Sequence, residues 1–141
     1  MSGESEQAES EERLGTGGDV RLVVPAAPEY LRLVRLTAAG LASRLGFTFD
    51  EVEDLRIAVD ELCFHLLGDH DDDPSDEPRT MDLTYSAGPD SITITGRTGL
   101  TGAAPEPSEL SEQILDALVD EHAVSGGNGM ITFRLKKQRE S

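Results

Sequence analysis

Apolar residues first gather at Val20, Leu22, Val23 and Val24, with Arg21 the lone charge in the run, which predicts a short strand stopped by Pro25. Pro28 then suits a first helical turn, and Leu31, Val34, Ala38, Leu41 and Leu45 recur at helical spacing until Gly46 closes the element. A second stripe, Val52, Leu55, Val59, Leu62 and Leu66, steps by three and four and marks the core face of another helix. Thr48 and Glu51 have capping-box spacing and Phe47 and Val52 that of a hydrophobic staple, so this helix should start near Phe49 and end at Gly68. Asp69 to Arg79 reads as a loop from its prolines and charge density. Met81, Leu83 and Tyr85 alternate with polar residues, as do Ile92 and Ile94 beyond Gly88-Pro-Asp90, predicting a hairpin with one wet face. Gly96 to Pro107 reads as a flexible connection. Ser108 should cap a third helix with Leu110, Ile114 and Leu118, joined by Ala117, as its inward stripe. His122 to Val124 suggests a short strand, the Gly126 to Gly129 segment a turn, and the alternation of Ile131, Phe133 and Leu135 with polar residues a final strand.

The order is strand, two helices, two strands, helix, two strands. It packs most simply as an α+β two-layer sandwich, a mainly antiparallel sheet with helices on one face. Residues 1–18 hold almost nothing apolar and read as a disordered acidic tail, 19–138 as the single domain and 139–141 as a C-terminal tail.

Composition narrows the class of function. The 141 residues contain no apolar run near membrane-spanning length, no signal-peptide pattern and no internal repeat, so a soluble cytoplasmic domain with no membrane partner is expected. Cys63 is the only cysteine, which excludes an intrachain disulfide and a cysteine-based zinc site. With 28 carboxylates against 12 basic residues and a net charge of -16, the surface should repel nucleic acid phosphates and favour a basic protein partner.

Three groups invite a functional reading. Glu61 and His65 stand four apart on the second helix and point into one volume; the bland alternative is an exposed glutamate with an ordinary i, i+4 partner. Arg32 and Arg35, one turn apart on the first helix, make a local positive spot that either is solvated and paired with Glu29 or docks a carboxylate-bearing partner. His70 among aspartates lacks the glycine and closing glutamate of a calcium loop, so a solvated loop is the expectation and no metal site is assigned.

The element order, together with Arg56-Ile-Ala-Val-Asp-Glu-Leu-Cys-Phe-His65, resembles the RsbW/SpoIIAB type of anti-sigma factor, a branch of the GHKL (Bergerat-fold) ATPase superfamily. The likeness runs from about Val20 to Lys137 and is nearest to degenerate actinobacterial members of the UsfX kind. It implies that Glu61 occupies the general-base position of active kinases and His65 the position of the Asn that holds magnesium. Imidazole nitrogen is a poor substitute for that oxygen. The segment Thr95-Gly-Arg-Thr-Gly99 has no carboxylate for the adenine amine, and Ser108-Glu-Leu-Ser111 stands where phosphate-binding glycines would open the last helix. The resemblance therefore implies a binding protein that sequesters an alternative sigma factor and represses transcription, using no cofactor; Arg32 and Arg35, a positive patch in a chain of charge -16, are the candidate contacts. The alternative it offers is a serine-protein kinase that binds Mg-ATP and phosphorylates a STAS-domain anti-anti-sigma protein. Homodimerisation is typical of the family. An unrelated two-layer domain with another partner is the bland third reading.

Overall fold

A computed structural model describes residues 19–67, 79–99, 107–127 and 129–140, with backbone alone at 65–67. Five strands, β1 (Asp19–Pro25), β2 (Thr80–Ala87), β3 (Ser91–Gly99), β4 (Glu121–Gly127) and β5 (Met130–Gln138), form one sheet in the order β1-β2-β3-β5-β4. Every neighbouring pair is antiparallel. Three helices, α1 (Leu31–Arg44), α2 (Phe49–Leu67) and α3 (Glu109–Leu118), join them, and a short 3-10 turn over Pro28–Tyr30 leads into α1. The expected α+β two-layer sandwich is what forms, with α2 packed between α1 and α3.

Alternation in the strands decides which face the helices cover. Met81, Leu83 and Tyr85 on β2, Ile92 and Ile94 on β3, and Ile131, Phe133 and Leu135 on β5 are fully buried, while their alternates reach solvent. The core-facing residues meet Leu31, Val34, Ala38 and Ala42 of α1 and Val52, Leu55, Ala58, Val59, Leu62 and Cys63 of α2. On α1 the fully inward position is Ala42 rather than Leu41 or Leu45, which are only half-buried. Leu41 and Leu45 lie at the margin of the stripe. Buried Lys137 continues the inward row of β5, and its Nζ donates to the Leu118 carbonyl at 2.7 Å, tying the end of α3 to the sheet.

Several expected boundaries move. β3 does not end near Gly96 but continues to Gly99, because Thr98 and Gly99 stay in register with Ile131 and Met130 of β5 and the Thr98 hydroxyl donates to the Thr80 carbonyl at 2.9 Å. β4 runs on through Gly127 instead of turning at Gly126. In α3 the inward residues are Ser111 and Leu115, with Ile114 and Leu118 half-buried, whereas Leu110 is 66% exposed and Ala117 faces solvent. The C-terminal residues are held rather than loose. Arg139 donates to the Leu45 carbonyl and to Asp90, both at 2.9 Å, and the Glu140 amide donates to Glu51 at 2.7 Å. The expected tail at 1–18, the loop with His70 and the end of α2 at Gly68 lie outside the described residues.

Candidate functional site

Helix α2 carries the candidate chemistry, and its start is fixed by side chains. The Thr48 amide donates to Glu51 Oε1 at 2.8 Å and the Glu51 amide to Thr48 Oγ1 at 3.2 Å, the reciprocal capping box expected from their spacing. Glu51 is nonetheless buried, since its second oxygen accepts from Glu140. The backbone donors of Glu140 and then Thr48 hold this carboxyl below the usual glutamate range.

Three turns further on, Glu61 is half-buried, between the buried row of Ala58 and Leu62 and the exposed positions Ile57 and Phe64. The helix backbone brings His65 to the same side one turn later, while the His65 side chain lies outside the described residues. Cys63 is fully enclosed, and burial pushes its thiol up to about 12, which removes it as a nucleophile near neutral pH.

The two other segments to which the resemblance pointed, Thr95–Gly99 and Ser108–Ser111, are engaged in other interactions. Thr95 to Gly99 lie within β3 rather than after it, and the Thr98 hydroxyl is engaged with Thr80. Gly96 is required by packing: a Cβ there would come 2.4 Å from the Phe133 ring, which takes the space a side chain would need. At the start of α3 the Ser108 hydroxyl accepts the Ser111 amide at 3.0 Å, and Glu109 and Glu112 place negative charge in the first turn. An incoming phosphate would meet carboxylates where the helix end should attract it.

The two arginines of α1 part company. Arg35 reaches across to Asp60 of α2 at 3.1 Å, not to Glu29, so its charge is locally offset. Arg32 is exposed and has no ion pair with any described residue. A groove of about 160 Å³ between the helices is lined by Arg35, Glu53, Arg56, Ile57 and Asp60, and Arg56 pairs with Glu53 at 2.8 Å. Large apolar side chains stand out on the same two helices: Leu33 and Leu36 on α1, Ile57 and Phe64 on α2. These four, with Asp60 and Arg56, escape a reading based on core stripes. Their signal is that they are large and apolar, or charged, at positions off the stripe.

The family model described as histidine kinase-like ATPase domain matches residues 24–135. The serine-protein kinase RsbW of Bacillus subtilis (strain 168) is 57% identical over 44 residues, covering 31% of this chain and 28% of that protein. The RsbW kinase of Halalkalibacterium halodurans is 42% identical over 66 residues, 47% of this chain and 38% of that protein. The matched stretches thus span under two fifths of these relatives' own length. Among solved structures, the RsbU and RsbW domains of a Mycobacterium tuberculosis protein share the fold, with a TM-score of 0.64 at 15% identity over 86% of this chain and 32% of that one.

Proposed function

The chain belongs to the histidine kinase-like ATPase domain family, and from that premise we propose that it is an anti-sigma factor, capturing an alternative sigma factor by direct binding and so repressing transcription. The carrying observation is the outer surface of α1 and α2, where Arg32, without an ion pair among the described residues, stands with Leu33, Leu36, Ile57 and Phe64 exposed. Exposed apolar side chains beside an exposed cation, on a chain of net charge -16, suit a protein partner with a complementary acidic and apolar face. Arg35 contributes through Asp60, as part of a groove wall rather than as a free charge.

The donor set does not fit Mg-ATP. The first turn of α3 offers Ser108 already used as a cap on the Ser111 amide and two glutamates whose charge opposes a phosphate, and β3 offers no carboxylate to an adenine amine. In this reading Glu61 is a relic of the family's general base, His65 does not hold magnesium, and binding needs no nucleotide. The site of action is the cytoplasm, with no direct nucleic acid contact; among the described residues no helix is long and apolar enough to cross a membrane.

One observation favours a second reading, a serine-protein kinase that phosphorylates a STAS-domain anti-anti-sigma protein: the similar relatives are named serine-protein kinases, and Glu61 is present. Capture of sigma factors from nucleotide-depleted extract, repeated with Mg-ATP and with Arg32→Glu, separates the two. The expected result is nucleotide-independent capture, weakened at least tenfold by Arg32→Glu, since truncating a desolvated charge pair at an interface costs about 2–5 kcal/mol. Capture only with Mg-ATP, accompanied by phosphate transfer to a STAS protein, would establish the kinase. Capture in neither condition would remove the anti-sigma reading.

A further inference from the structure

At the end of the sheet where β1 begins, a recess of about 110 Å³ opens between the last turn of α1 and the inward faces of three strands. Its walls are Val20, Leu41, Leu45, Tyr85, Ala87 and Ile92, and among the described residues its one charged lining residue is Arg44. The register explains the space. Val20 faces Tyr85 across β1 and β2, Ala87 faces Ile92 across β2 and β3, and the two short side chains, Val20 and Ala87, leave room under the helix. Tyr85 cannot swing in to fill it, because its hydroxyl donates to the Val34 carbonyl of α1 at 3.0 Å and holds the ring as a fixed wall.

Arg44 is exposed and pairs with no carboxylate among the described residues. Beside it, the end of α1 is already partly offset, since Arg139 donates to the Leu45 carbonyl. The negative end of a helix opposes an anion. A negatively charged ligand head at this mouth therefore depends on the Arg44 guanidinium, whose planar donors match a carboxylate.

We propose that this recess binds a small monocarboxylic acid, its apolar body inserted against Leu41, Tyr85 and Ile92 and its carboxylate on Arg44. A dry apolar cavity of about 150 Å³ holds benzene, so the smaller space here limits the body to a single ring or a short branched chain. A second carboxylate would have to sit on a surface of net charge -16, which selects against dicarboxylates. The site is separate from the surface of Arg32, and the inference stands independently of the anti-sigma reading.

The test is a methyl NMR titration of the full chain with benzoate and, as a neutral isostere, benzamide. Benzoate should give saturable shifts at the methyls of Val20, Leu41, Leu45 and Ile92. Arg44→Gln should weaken benzoate at least tenfold and leave benzamide unchanged, and Ala87→Leu, which fills the recess, should abolish binding of both with the melting temperature kept or raised. The proposal is overturned by the lack of saturable shifts at those methyls up to the solubility limit, by equal benzoate binding to Arg44→Gln and the parent chain, or by unchanged binding to a folded Ala87→Leu protein.

Discussion

Glu51 joins two parts of the chain that are 89 positions apart, because one carboxylate oxygen serves the Thr48 amide and the other the Glu140 amide. Both are hydrogen bonds to the charged form, so its folded pKa is depressed and the stability it contributes is present above the unfolded value and lost as pH falls through the folded one. Glu51→Gln keeps one acceptor oxygen and loses the other. It should lower stability at pH 7 by about 1–2 kcal/mol, and the gap between variant and parent should narrow as pH falls below the usual glutamate range and close once the depressed folded carboxyl of the parent protonates as well. Urea melts at several pH values check both halves; a gap that does not depend on pH would mean that the charge is not what matters. Thr48 and Glu51 were legible as a capping box from their spacing alone. The bond to Glu140 was not, since nothing local to either residue records it. Gly96 is a similar case: a glycine following the alternation of Ile92 and Ile94 was readable as a strand end, and only the Phe133 ring across the ladder shows that its missing side chain makes room for a neighbour.

At the scale of elements, α3 shows where periodicity misleads. Leu110, Ile114 and Leu118 form a regular helical stripe, yet the buried face is turned by one position, onto Ser111 and Leu115. Two anchors set that rotation: the Ser108 cap at the start and the Lys137 ammonium on the Leu118 carbonyl at the end. Small Ser111 faces inward while larger Leu110 is left in solvent, an arrangement no hydrophobicity count would choose. Leu115→Ala should therefore cost about 2–5 kcal/mol, whereas Leu110→Ser should change stability by no more than about 0.5 kcal/mol. Thermal unfolding of the two single variants decides it, and a large loss from Leu110→Ser would show that the stripe faces the core after all.

For the molecule as a whole, the last residues act as a clasp. Arg139 spans from the Leu45 carbonyl, at the turn between α1 and α2, to Asp90 in the β2–β3 turn, and its backbone amide also donates to the Asp90 carbonyl at 2.6 Å. Gly46 permits the approach: its φ of 87° is left-handed, and a Cβ there would come 2.8 Å from the Arg139 guanidinium. Ending the chain at Gln138 removes these bonds and the Glu140 amide from Glu51 together. The truncated protein should lose about 2 kcal/mol, on the usual net value of hydrogen bonds, and the Thr48 and Gly46 amides should exchange with deuterium faster. Unchanged exchange there would reduce residues 139–141 to the tail that their composition suggests.

The sequence by itself determined the kinds and order of the elements, because helical and strand periods, caps and turn residues are local properties carried within a few positions. It also determined the chemistry available, one cysteine, a large acidic excess and a helix with Glu61 and His65 four positions apart. Tertiary structure alone decided which partners those residues found: Asp60 rather than Glu29 for Arg35, Phe133 over Gly96, Glu140 for Glu51, and the place of Arg44 beside an apolar recess. The reason is that hydrogen bonds, ion pairs and cavities depend on distances between segments far apart in the chain, and the sheet register and helix rotation that set those distances are fixed only when the layers pack.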